Sequence, residues 1–213
     1  CDVMPDIEED LDVEINEDLA TTGTLKVGAG NTLTISATQT QSITVDTQTN
    51  ADAKVILKDD ANITLSGSGK VKVGNNAEVT IADYNANKSA MAGAKSALQT
   101  ATSSLASNSK TSPATKTTDE ISAAATQFAN LFTFAATGTN VTVEIDKEVT
   151  GHDVGDGVLT EAKYDSNNVQ VKLKDGYATT DGNGKKVGLA VTLSASGVTS
   201  ETYYVLVTLT DAT

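Results

Sequence analysis

The chain has 213 residues, with 28 Asp and Glu against 15 basic residues and a formal net charge of −13. All the bases are lysines, and a chain without the bidentate guanidinium and with so acidic a balance excludes nucleic acid as a partner. Aromatics are only 4% of residues, so a core must come from Val, Leu, Ile and Ala, and one His with one Cys exclude most metal and nucleophile chemistry.

No apolar run approaches the roughly 18 residues a membrane helix needs, so no span is expected. Residues 1–21 form an acidic arm. Its first 18 positions carry nine acids (Asp2, Asp6, Glu8, Glu9, Asp10, Asp12, Glu14, Glu17, Asp18) and no base, so without them the net charge is −4 rather than −13. Within the arm Leu11, Val13 and Ile15 alternate with Asp12 and Glu14, the period of a strand with one apolar and one charged face. Such a strand lies at a sheet edge, in its own chain or in a neighbour's. The start at Cys1 followed by an acidic tether resembles the mature form of bacterial lipoproteins. That resemblance implies a lipid anchor on Cys1; a leader cut that happens to leave Cys, or a disulfide between subunits, are the alternatives.

Residues 22–82 read as a β-repeat region. Thr22–Ile35 aligns with Ser68–Ile81 at an offset of 46, matching Gly23 with Gly69, Lys26 with Lys72, Val27 with Val73, Gly28 with Gly74 and Ile35 with Ile81. A weaker copy, Val55–Leu65, stands between them, giving short strands broken by Gly, Asn and Asp turns. These segments look like the β-helical or hairpin repeats of bacterial surface proteins.

Residues 83–136 change period and predict a helical hairpin. Met91, Leu98 and Leu105 recur every seven residues, with Ala94 and Ala101 three further on, which places one narrow stripe along a helix. Ser107–Thr117, with Pro113, reads as a linker. Thr117-Thr-Asp-Glu120 fits a capping box, and Ile121, Ala124, Phe128, Leu131 and Phe132 then recur at helical spacing. The three Phe (Phe128, Phe132, Phe134) are a ligand-binding cluster or the plug of the hairpin.

Residues 137–213 return to alternation. Val141, Val143 and Ile145 mark one strand, Val169, Val171 and Leu173 a second, Val187 to Leu193 a third and Tyr203 to Leu209 a fourth, with turn chemistry at Asp175-Gly176, Asp181–Gly184 and Ser196-Gly197. The set resembles an immunoglobulin-like sandwich short of its usual seven strands, leaving an edge open. The fold class expected is therefore mainly β, a β-repeat region plus an immunoglobulin-like sandwich with a two-helix insertion.

Chemistry is sparse. His152 sits in a Gly-rich loop with no nucleophile motif beside it, and too few aromatics exist to build a sugar cleft, so no enzyme and no cofactor are expected. Calcium is the one ion with candidates. Asp181–Lys185 begins like a calcium loop but places Lys185 where an oxygen ligand belongs, and Asp153, Asp156 and Glu161, or Asp59 and Asp60, are looser groupings. Sequons at Asn62, Asn87 and Asn140 are no more numerous than chance predicts.

The expected role is a structural subunit of an extracellular filament or surface layer, in which the strand of Leu11, Val13 and Ile15 joins the open edge of the next copy. In arrangement it resembles donor-strand pilins. A lipid-anchored monomeric adhesin or binding module at the cell surface is the alternative.

Overall fold

In the computed structural model, residues 12–102, 113–117, 128–136, 140–147, 159–174 and 185–210 are described. The chain divides into two compact units, one of Cys1–Ser89 with Ala195–Thr199 and the other of Ala90–Ser194 with Ser200–Thr213. Strands dominate both.

The first unit is a β-solenoid-like stack of coils. Strands β1 (Val13–Ile15), β3 (Thr32–Ile35), β5 (Lys54–Leu57) and β7 (Lys70–Val73) lie side by side in parallel. A second parallel sheet holds β2 (Gly23–Lys26), β4 (Ile43–Asp46) and β6 (Ile63–Ser66). The chain passes from one sheet to the other and back in each coil, so every second residue points at the space between them. Leu33, Ile35, Ile43, Val45, Val55, Leu57, Val71 and Val73 stack there and are buried. Each such side chain removed from water is worth about 1.5–3 kcal/mol. Thr, Lys and Asp at the intervening positions face outward, which is why the sequence reads as Ile-Thr-Val-Asp or Lys-Val-Lys-Val.

The coil period differs from the offset of 46. Val13, Leu33, Val55 and Val71 are cross-strand partners in one sheet, separated by 20, 22 and 16 residues. Leu25, Val45 and Leu65 are partners in the other, 20 apart. The offset of 46 matches β2 in one sheet with β7 in the other, so it records shared strand and turn chemistry rather than equivalent coils. Corner geometry explains the uneven spacing. At the tight corner between β6 and β7, a Cβ on Gly69 would stand 2.6 Å from the Ala53 carbonyl oxygen and 2.8 Å from Thr47 Cγ2, so only glycine fits.

The stack ends at β8 (Val79–Thr80), antiparallel to β7, and at helix α1 (Ile81–Thr102). Thr80 caps the helix, its hydroxyl accepting the Asp83 amide at 3.1 Å. Ile81, matched in sequence with the strand residue Ile35, is the first residue of that helix, although it is buried in the same core. The stripe along α1 is as the heptad spacing predicts, with Met91, Ala94 and Leu98 buried in the second unit; Leu105 lies outside the described residues.

The second unit holds two sheets. One is ordered β10 (Ala129–Thr133), β13 (Asn168–Leu173), β12 (Leu159–Asp165), and the other β11 (Thr142–Lys147), β14 (Lys185–Ala195), β15 (Val198–Thr210), β9 (Pro113–Thr117). All four strands read from alternation in the C-terminal segment are present, and β12 joins them. Of the expected helical hairpin one helix stands among the described residues, and the end of the expected second helix is corrected, since Leu131 and Phe132 lie on β10. A bulge at Leu131 breaks the alternation of β10 against β13, so the buried residues Leu131 and Phe134 stand three apart, a spacing that imitates a helical turn. Ile121, Ala124 and the rest of the capping box beyond Thr117 are outside the described residues. The segment Pro113–Thr117, expected as linker, is a strand parallel to β15.

Candidate assembly site

The arm strand pairs within its own chain. Val13 and Ile15 of β1 register with Leu33 and Ile35 of β3, half-buried against the core, while Asp12 and Glu14 are exposed. The alternation therefore predicted the strand and its two faces, and the fold decided the partner. Leu11 and Cys1 lie outside the described residues. Beyond β1 the ladder continues, with the Ser36 amide donating to the Ile15 carbonyl at 2.9 Å and the Ser36 hydroxyl to the Glu14 carboxylate at 3.1 Å.

The seat of the arm is built around Gln39, only 1% exposed. Its side-chain amide donates to the carbonyls of Glu17 (3.0 Å) and Ala37 (3.1 Å), and its oxygen accepts the Leu19 amide at 2.9 Å. One buried side chain thus takes both polar backbone groups of the passing arm, as a neighbouring strand would. Asp18 fixes the outer side of the same turn, accepting the Thr40 hydroxyl at 2.6 Å, the Ala20 amide at 3.0 Å and the Thr40 amide at 3.2 Å. These bonds hold its carboxyl below the ordinary value, the Thr40 hydroxyl most of all. Nothing in the run Ala37–Ser42 marks Gln39 from sequence, because its partners on the arm, Leu19 and Glu17, are 20 and 22 residues away in the chain.

The two ends of the stack are treated differently. At the last coil, Asn85 of α1 donates to the Leu65 carbonyl at 2.9 Å, covering part of the edge of β6. Asp60 accepts from the Tyr84 hydroxyl and from Lys88 Nζ, the latter at 2.8 Å, tying the helix to the coil below. Burial raises the Asp60 pKa, but the hydrogen bonds from Lys88 and Tyr84 and the Lys88 charge outweigh it and hold the carboxyl below its ordinary value. Burial, then Asp60, pushes the Tyr84 phenol well above its usual range. At the first coil, β1 and β2 end their sheets, and among the described residues no strand pairs with their outer sides. An edge of that kind is a template for another chain.

The remaining candidates resolve individually. Asp59, read as a loose calcium candidate with Asp60, accepts the Thr38 hydroxyl and the Ala61 amide, the second at 3.1 Å. Among the described residues no three His, Cys, Asp or Glu side chains form a group that could hold a metal ion. Glu161 lies on β12 and Lys185 opens β14, while His152, Asp153, Asp156 and Asp181 are outside the described residues. The aromatic cluster is part of the second unit's β structure. Phe134 is buried with its ring 5.1 Å from that of Tyr164, whose hydroxyl donates to the Phe134 carbonyl at 2.7 Å, and Phe132 stacks on Phe134 at 6.2 Å. Phe128 lies under Lys163 Nζ, 4.2 Å from the ring centroid. The described helix is not long and apolar enough to cross a membrane.

No protein-family model, no curated protein and no solved structure matches the chain.

Proposed function

We propose that the chain is a structural subunit of an extracellular filament or surface layer, and that copies join by strand addition through the N-terminal arm. The observation that carries this reading is the seat of residues 13–19, in which the arm is held by β3, Ser36 and Gln39 largely through main-chain groups. A strand held in that manner makes identical bonds whether it comes from its own chain or from the next, which is the condition for exchange between copies. A head-to-tail exchange that does not close on itself yields a filament. The edges of β1 and β2, unpaired by any strand among the described residues, stand at one end of the stack, opposite an end covered by α1, and fit such polarity. On this reading the two sheets of the second unit are an incomplete immunoglobulin-like sandwich, Cys1 carries the lipid of a precursor at the cell surface, and the protein has no enzymatic role.

Glu14 and Thr34 are register partners on adjacent parallel strands, about 4.8 Å apart and within disulfide reach. In a Cys1→Ser background, Glu14→Cys with Thr34→Cys is expected to give a ladder of covalent oligomers under oxidation, with filaments in the electron microscope that disappear when residues 1–20 are removed. Monomers closed by an internal disulfide, or filaments that persist after truncation, refute the reading. A stable monomer in every condition points instead to a lipid-anchored adhesin.

A further inference from the structure

The outer face of the β1–β3–β5–β7 sheet changes in charge from one edge to the other. Its outward positions are Glu14 on β1, Thr32 and Thr34 on β3, Lys54 and Ile56 on β5, and Lys70 and Lys72 on β7. Register aligns Thr32, Lys54 and Lys70 in one row and Thr34, Ile56 and Lys72 in the next. Lys58 follows directly after β5 and is exposed, so four of the chain's 15 lysines gather on two neighbouring strands or directly beyond one of them. Glu78 is an acid beside these lysines, 4.0 Å from Lys54 Nζ, and Lys72 Nζ donates to the Gly74 carbonyl at 2.9 Å. In the middle of the lysines stands Ile56, 38% exposed and the one large hydrophobic side chain in that state among the described residues. A chain of net charge −13 thus carries a basic face with an apolar centre.

We infer that this lysine face is the docking surface for the acidic N-terminal segment, residues 2–12, of a second copy. The inference rests on the reading of the chain as a self-assembling subunit and names where the arm of one copy meets the body of the next. Charge complementarity selects the occupant. The segment offers Asp2, Asp6, Glu8, Glu9, Asp10 and Asp12 with no base, and Ile7 and Leu11 among them supply apolar contact for Ile56. The occupant comes from a second copy because, in the strand exchange proposed above, the arm seated beside β3 belongs to the next chain and brings its acidic segment to this sheet. Single exposed ion pairs contribute little, whereas several charges along one face add up and are weakened by salt. The contact should therefore weaken steeply between low and high ionic strength.

The test is charge exchange between full-length chains. One variant reverses the face (Lys54→Glu, Lys70→Glu, Lys72→Glu) and another reverses the arm (Glu8→Lys, Glu9→Lys, Asp10→Lys). Sedimentation velocity at low salt is expected to show self-association weakened about tenfold or more in either variant alone. Association should return when the two are mixed, because the acidic face of one then meets the basic arm of the other; that recovery also shows both variants folded. The milder set Lys54→Gln, Lys70→Gln and Lys72→Gln should fall between wild type and reversal. Mixed variants that stay apart overturn the inference. Wild-type assembly that both variants retain overturns it while leaving the self-assembly reading standing, and a wild-type chain that never associates overturns both.

Discussion

Removing the amide of Gln39 is the most direct perturbation of the arm seat. Gln39→Ala deletes three hydrogen bonds of 2.9 to 3.1 Å, to Leu19, Glu17 and Ala37, two of which hold the arm. Each is worth about 0.5–1.5 kcal/mol net, and water entering the vacated space restores part of the loss, so about 2 kcal/mol is expected. A loss of that size, at tenfold per 1.4 kcal/mol, shifts the equilibrium between seated and released arm by roughly thirtyfold. The effect should be local, because the remaining coils keep their ladders. Hydrogen exchange separates the two levels. The amides of Leu19 and Ser36, which bond to Gln39 and to the Ile15 carbonyl, should exchange about thirtyfold faster, while those of Lys58 and Gly74, bonded to Ile35 and Leu57, should keep their protection. Gln39→Glu retains an acceptor for Leu19 but loses both donors, and should behave similarly. Unchanged exchange at Leu19 and Ser36 in Gln39→Ala would refute the role given to this residue.

Two further outcomes follow from the covered end of the stack and from its corners. The carboxyl of Asp60 is held below its ordinary value, so its contribution is complete above about pH 4 and is lost as the pH falls through the lower folded value. The phenol of Tyr84 is raised, so its contribution is complete below about pH 10 and is lost as the pH rises beyond. Urea midpoints across pH should show a flatter acid limb in Asp60→Asn and a flatter alkaline limb in Tyr84→Phe, and limbs that keep the wild-type slope would discount the Asp60–Tyr84–Lys88 cluster. Gly69→Ala forces a methyl against the Ala53 carbonyl and the Thr47 side chain and should cost about 2–3 kcal/mol. Gly74→Ala meets only the Lys58 carbonyl oxygen at 3.5 Å and should lose about 1–2 kcal/mol through its φ of +53°. Thermal unfolding that ranks Gly74→Ala as the more damaging would contradict the corner packing.

The sequence determined what is local. The alternation of Ile43-Thr-Val-Asp46 or Lys70-Val-Lys-Val73 dictates a strand with one buried face whatever it pairs with, and Met91, Ala94 and Leu98 dictate a helix with one buried stripe, because both periods are properties of the backbone itself. The concentration of acid in the arm was equally plain. Which strands become neighbours was decided only in three dimensions. The coil period depends on how many residues each corner consumes, and the matching turn chemistry of β2 and β7 concealed that they belong to different sheets. The same holds for Val13 and Ile15, whose pattern announces an edge strand while the coil beneath supplies its partner. A single bulge moved Leu131 and Phe132 from an expected helix to a strand, since an inserted residue turns a period of two into a step of three. Gln39, Tyr84 and the tie of Asp60 to the helix were invisible for a related reason. A polar side chain gains its meaning from the backbone or charge that folding brings to it, and here those groups lie one coil away.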